Sequence, residues 1–207
     1  MKIAIIGGTG SMGRGLGEQL AKGHEVIVGS RDPAKAKAAA AEIKARGSDY
    51  STAAKECDAA IVAIPFSAID LMSSLANDLS GKLVISVINP MKFEHGRWLY
   101  GLDRGSAAEM LASKLPKSRV ATAFNNVTAA FFCKPEVSRL DVVVAADSKE
   151  TFVEAAGIVK SIPNLRPLYA GPLSESQTVE RITPLILNLA RINKTGSLGT
   201  RFVSQKD

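Results

Sequence analysis

Residues 1–32 constrain this chain more than any other stretch. Lys2-Ile3-Ala4-Ile5-Ile6 is a short apolar run, rich in β-branched residues and bounded by glycine, as in a buried parallel strand. It runs into Gly7-Gly8-Thr9-Gly10-Ser11-Met12-Gly13, where Gly8, Gly10 and Gly13 spell G-x-G-x-x-G. Leu16, Leu20 and Ala21 recur at helical spacing, Gly23-His24 closes that helix, and Glu25-Val26-Ile27-Val28-Gly29 reads as a second strand. Strand, glycine turn, helix and strand in about 30 residues is the context in which this fingerprint signals dinucleotide binding.

Each glycine has an expected task. Gly8 lets the chain turn tightly off the strand, Gly10 lets a pyrophosphate approach the main chain, and Gly13 lets the helix lie close to the sheet. The helix then offers unpaired N–H groups and its positive dipole end to the phosphates, with the Thr9 and Ser11 hydroxyls beside them. At the end of the second strand, an NAD enzyme places an acid on the ribose hydroxyls. Here the strand leads into Ser30 and Arg31, which would donate to the 2′-phosphate of NADP, and Lys35 falls one helical turn further on. Asp32 followed by Pro33 reads as the cap and first residue of the next helix. The nucleotide is therefore expected to be NADP.

The chain has 207 residues, 46% apolar and 22% charged, enough for one large core or for one domain plus a small partner. Its net charge of +6 comes without a Lys/Arg run, zinc spacing or aromatic RNA-binding motif, which favours anionic small molecules over nucleic acid. Cys57 and Cys133 match neither C-x-x-C nor a zinc pattern and are expected to be buried and reduced; His24 and His95 have no metal-ligand spacing. No signal peptide or membrane-length apolar run is seen, so a soluble cytoplasmic protein with no metal is expected.

Further along, the pattern alternates. Helices are expected over 32–46, near 51–57, over 69–79, 107–115 and 148–162, and from about 174 onward. Strands are expected over 58–64, 82–88, 119–124, 141–145 and 166–169, and 91–105 as a surface loop or flap. The C-terminal helix is expected to open with a capping box of Ser174 and Gln177, to bend at Pro184, and to end in a glycine-rich loop. This is an α/β, Rossmann-like, doubly wound parallel sheet, whose ligands bind beyond the carboxyl ends of the strands. Those ends carry Phe66 and, a turn later, Ile69, which read either as cofactor contacts or as core. Asn89, Asn125 and Asn126 read either as amides for a second ligand or as turn caps.

No Ser/His/Asp set, Schiff-base lysine or carboxylate pair lies near these ends, so no catalytic side chain is expected. Hydride transfer needs none, because the cofactor carries the chemistry while the protein aligns it.

The chain resembles the NADP-dependent oxidoreductases of coenzyme F420. The resemblance rests on Ile5-Ile6-Gly7-Gly8-Thr9-Gly10, on Val28-Gly29-Ser30-Arg31, and on Ala170-Gly171-Pro172-Leu173-Ser174 through Thr183-Pro184-Leu185-Ile186-Leu187-Asn188 with Leu198-Gly199. It implies an NADP-binding Rossmann domain over 1–140, a small C-terminal α/β domain over 141–207, a homodimer, and direct hydride transfer between NADP(H) and the deazaflavin F420 in a cleft between the domains. By resemblance, Thr9, Gly10, Ser11, Met12, Ser30, Arg31 and Lys35 hold NADP. Phe66 and Ile69 flank it, and Val127, Ala129 and Leu198 surround the stacked rings. Two other readings stay open: an NADPH-dependent flavin or ferric reductase of the same fold, and a non-catalytic NADP(H)-sensing module.

Overall fold

The computed structural model describes residues 1–133 and 139–205. In chain order the N-terminal part runs β1 (Lys2–Ile6), α1 (Ser11–Leu20), β2 (Glu25–Ser30), α2 (Pro33–Glu42), β3 (Arg46–Asp49), α3 (Tyr50–Glu56) and β4 (Ala59–Val62). A 3-10 helix (Phe66–Leu75) leads to β5 (Leu83–Ser86), the hairpin β6 (Met91–Glu94) and β7 (Arg97–Tyr100), α4 (Ala107–Lys114), β8 (Arg119–Thr122) and α5 (Ala129–Cys133). Beyond these lie β9 (Leu140–Ala146), α6 (Lys149–Lys160), β10 (Leu165–Gly171) and α7 (Ser176–Asn193).

Eight strands form one sheet in the order β10-β9-β8-β5-β4-β1-β2-β3. Every neighbouring pair is parallel except β8 with β9. The inner strands carry apolar residues on both faces because both faces are covered. Ile3 and Ile5 enter one core cluster, while Ala4 and Ile6 enter the other. The order reverses beside β1, which opens a crevice at the carboxyl ends of β1 and β4.

The doubly wound sheet is present, but not purely parallel. Thr122 pairs with Ala145 and Ala121 with Ala146, so β9 runs back along β8 and its first residues lie at the carboxyl-end edge. Residues 141–171 thus add to the same sheet, and α7 returns toward the crevice.

Several local expectations are corrected. The helix from Asp32 stops at Glu42, and Gly47 sits instead in edge strand β3, where a Cβ would meet the Ala36 carbonyl carbon at 2.4 Å. The short third helix starts at Tyr50 and is capped by Asp49, whose carboxylate accepts from Thr52 N at 2.9 Å. Residues 66–75 coil as a 3-10 helix where an α-helix over 69–79 is expected. The stretch 91–100 is a hairpin, turned by His95 (φ 49°) and Gly96 (φ 73°). Ser174 does not cap α7, and Gln177 Nε2 donates instead to Gly105 O at 2.9 Å. Cys57 is buried as expected, whereas Cys133 is exposed. Among the described residues no helix is long and apolar enough to cross a membrane.

Candidate cofactor cleft

The glycine turn is where the fingerprint puts it, with one reassignment. The left-handed residue that turns the chain off β1 is Gly7 (φ +92°), not Gly8. Gly13 packs as expected: a Cβ there would lie 2.6 Å from Gly8 Cα and 2.7 Å from Gly7 O. Gly10 differs, since a Cβ would meet only Gly7 O, at 3.7 Å. Its open side faces a cavity, and as the α1 N-cap it brings no side chain to bond the first-turn N–H groups.

That cavity has a volume of about 650 Å3. From the first βα turn it is lined by Gly7, Thr9, Gly10, Ser11 and Met12, and from the end of β2 by Ser30 and Arg31. Ser30 is buried and its Oγ accepts from Asp32 N at 3.2 Å. Asp32 is occupied as the α2 cap, its Oδ1 accepting from Ala34 N at 2.9 Å and Lys35 N at 3.3 Å. The acid next to Arg31 is thereby turned toward the helix end it caps. Tyr50, the first residue of α3, faces the same corner, a contact that no sequence pattern marks. Burial pushes its phenol pKa up, and the nearby Arg31 guanidinium works against that rise.

The floor is Ala63, Ile64, Pro65 and Phe66 after β4, with Val87, Ile88 and Asn89 after β5. The opposite wall is Asn125, Val127, Thr128 and Ala129 after β8, Met91 of the hairpin, and Thr183 and Leu187 of α7. A polar chain ties this wall together. Asn125 Nδ2 donates to Ile88 O at 3.0 Å and to Asn89 Oδ1 at 3.2 Å, and Thr183 Oγ1 donates to Asn125 O. Asn125 Oδ1 is buried and has no partner among the described residues.

Of the expected contacts, Thr9, Gly10, Ser11, Met12, Ser30, Arg31, Phe66, Asn89, Asn125, Val127 and Ala129 meet around this one cavity. Gly8 and Gly13 support it from beneath, touching each other. Lys35 is exposed on α2, its Nζ 4.0 Å from Asp32 Oδ2 and away from the lining. Ile69 is buried in the core and Leu198 lies in the C-terminal coil; neither lines the cavity. Thr183 and Leu187 were missed because their helical spacing reads as simple packing.

The α7 helix is fixed to its surroundings by a buried acid. Glu180 accepts from Tyr100 Oη at 2.8 Å, from Ala107 N at 3.0 Å and from Ala108 N at 3.1 Å, at the start of α4. Desolvation pushes its pKa up to about 7, against those three donors. Asn188, two turns on, exchanges two 2.8 Å hydrogen bonds with the Trp98 backbone of the hairpin.

A glycine turn into a helix N-terminus at the sheet's crevice, with a basic corner at the end of β2, defines a Rossmann-type dinucleotide-binding protein. Comparison with known proteins narrows this. The family described as "NADP oxidoreductase coenzyme F420-dependent" matches residues 2–90. The F420-dependent NADP reductase of Methanothermobacter marburgensis is 34% identical over 222 residues, covering 99% of both chains. That of Methanocaldococcus jannaschii is 33% identical over 226 residues, with the same coverage. A crystal structure from Arthrobacter sp. FB24, provisionally described as an F420-dependent NADP-reductase, superposes with a TM-score of 0.88 at 23% identity, covering 99% of this chain and 100% of that one; it shows the shared fold. The chain belongs to the F420-dependent NADP reductase family.

Proposed function

We propose that this protein is an oxidoreductase that passes a hydride directly between NADP(H) and coenzyme F420. The observation that carries it is one cavity lined at one end by the glycine turn and the Ser30–Arg31 corner, and at the other by mostly apolar residues after β4, β5 and β8 and from α7. Residues 1–140 supply the nucleotide end, and residues 141–207 complete the other through Thr183 and Leu187.

The residues present fit both groups. The N–H groups of the first turn of α1, with the Thr9 and Ser11 hydroxyls, would hold the pyrophosphate, and Ser30 and Arg31 the 2′-phosphate. The two bound cofactors supply the redox chemistry between them, as hydride donor and hydride acceptor. The protein aligns the two rings and keeps water out. Ile64 and Val87 give an apolar floor and Leu187 an apolar stretch of wall, and the Asn89–Asn125–Thr183 chain fixes that wall against the floor. The unpartnered Asn125 Oδ1 gives a ligand N–H an acceptor. No side chain is assigned to proton transfer, since a hydride exchange between bound rings asks only for alignment.

The same reading includes a homodimer. Leu185, Leu189 and Ile192 lie along one side of α7 at 57%, 43% and 67% exposure, and a second copy would cover them. It also includes a cytoplasmic setting, with which two unbridged cysteines agree.

Stopped-flow mixing of the protein with NADPH and oxidised F420 tests the main reading. Loss of deazaflavin absorbance in step with NADPH oxidation is expected, with a flavin as control acceptor. NADPH binding without turnover of F420 would overturn it, and faster turnover of the flavin would favour the flavin-reductase alternative.

A further inference from the structure

A second cavity, of about 340 Å3, lies beside the cleft, between the starts of β9 and β10 and the C-terminal strand of coil. Arg139, Arg166 and Arg201 line it, with Asp141 as the one acid. Asp141 is buried and already saturated. It accepts from Arg166 Nε at 2.7 Å, from Arg166 Nη2 at 3.0 Å and from the Phe202 amide. Burial alone would raise its pKa, but these donors, with the Arg201 charge nearby, hold it below the usual carboxylate range. One guanidinium is thus neutralised, and two positive charges are left over. Arg139 and Arg201 are exposed, and among the described residues no hydrogen bond or ion pair engages either one.

The position is as informative as the charge. Because β9 runs antiparallel to β8, Asp141 lies at the carboxyl-end edge of the sheet, where the cleft opens. Asn125 lines the cleft, and its neighbour Asn126 is the link to this second cavity. Asn126 Nδ2 donates to Asp141 O at 2.6 Å and Asn126 Oδ1 accepts from Val143 N at 3.1 Å, while Asp141 N donates to Thr200 O at 2.9 Å. Asn126, next in the chain to the cleft residue Asn125, thus bonds the backbone of Asp141, which lines the second cavity on the same edge.

We infer that this pocket binds an oxyanion, a phosphate or carboxylate group, through Arg139 and Arg201, with Arg166 braced by Asp141 as its fixed base. Guanidinium forks suit such groups because they offer paired, parallel N–H bonds. Two sources share that chemistry: the acidic tail of a cofactor whose ring sits in the cleft, or a separate soluble anion. The pocket does not depend on the hydride-transfer reading; only the tail as its source does.

The experiment compares wild type with the double variant Arg139→Ala/Arg201→Ala, which leaves the Arg166–Asp141 pair and the cleft lining untouched. Inorganic pyrophosphate is titrated by calorimetry. F420, its tail-less deazaflavin chromophore and NADPH are titrated by fluorescence. A tenfold or greater fall in affinity is expected, as the loss of charge-assisted bonds gives. A fall for F420 but not for the tail-less chromophore assigns the tail. A fall for pyrophosphate alone assigns a separate anion. Unchanged affinity for both overturns the inference, and so does an equal fall for NADPH, which would mark a general field effect. NADPH failing to bind either protein would instead overturn the nucleotide site.

Discussion

The Tyr100 hydroxyl lies 2.8 Å from Glu180 Oε2 and 3.0 Å from Gly105 O, with one proton to give to two acceptors. When Glu180 is ionised, the hydroxyl serves the carboxylate. When Glu180 is protonated, the acid can donate to the phenol oxygen, freeing the phenol proton for Gly105 O. The buried acid therefore has satisfied arrangements in both charge states, at the joint between α7, α4 and the hairpin.

This joint gives the fold a pH dependence of definite sign. Folding raises the Glu180 pKa from the ordinary carboxylate value to about 7, so between those values the folded chain binds more protons than the unfolded one. The contribution is complete below the unfolded value and is lost as pH rises through 7, on the order of 3 kcal/mol in all. Melting temperature measured from pH 5 to pH 8 should fall more steeply for wild type than for Glu180→Gln. Parallel curves would refute the assignment.

Arg31→Ala should weaken NADP by about 10- to 100-fold while hardly changing NAD, since only NADP carries the phosphate that the guanidinium would bind. Lys35→Ala should do much less, because Lys35 is exposed beside Asp32 and away from the cavity lining. Titrations of both nucleotides against both variants check this, and equal losses for NAD and NADP at Arg31 would sink the phosphate role.

Two glycines of the turn should separate folding from binding. Gly13→Ala drives a Cβ to 2.6 Å from Gly8 Cα, so it should cost about 1–3 kcal/mol of stability. Gly10→Ala meets nothing closer than 3.7 Å, so it should melt within a few degrees of wild type yet bind NADP more weakly. Thermal melts paired with nucleotide titrations distinguish the two, and a Gly10→Ala protein with normal affinity would contradict the close approach.

Asn188→Leu removes both hydrogen bonds to the Trp98 backbone, leaving its N–H and C=O unpaired where α7 covers them. A loss of about 1–3 kcal/mol is expected, with faster protease cleavage near His95-Gly96. Unchanged cleavage kinetics would mean that the hairpin is held by its apolar contacts instead.

The nucleotide half was readable from sequence for a simple reason. Strands buried on both faces need continuous apolar runs such as Ile3 to Ile6, and the turn needs glycine, so both leave a mark in residue type. Edge strand β3 leaves none, because Arg46-Gly47-Ser48-Asp49 holds no apolar side chain, and Tyr50 was lost with it. The hairpin did carry a signal, a His-Gly turn flanked by Phe93 and Trp98, whose rings stack edge to face at 5.1 Å. The far wall is harder. Thr183 and Leu187 reach the cavity because α7 packs against β7, β9 and the start of α4, and no local pattern encodes contacts between elements so far apart in the chain. The same applies to Arg139, Arg166 and Arg201, which are scattered in the chain and meet only through strand order.

The rungs between Thr122 and Ala145 and between Ala121 and Ala146 have a mechanical consequence. They stitch the two halves of the molecule into one rigid plate, so jaw-like opening would tear backbone pairing. Access to the cleft must then come without spreading those two halves, whose join runs through main-chain bonds rather than through side chains.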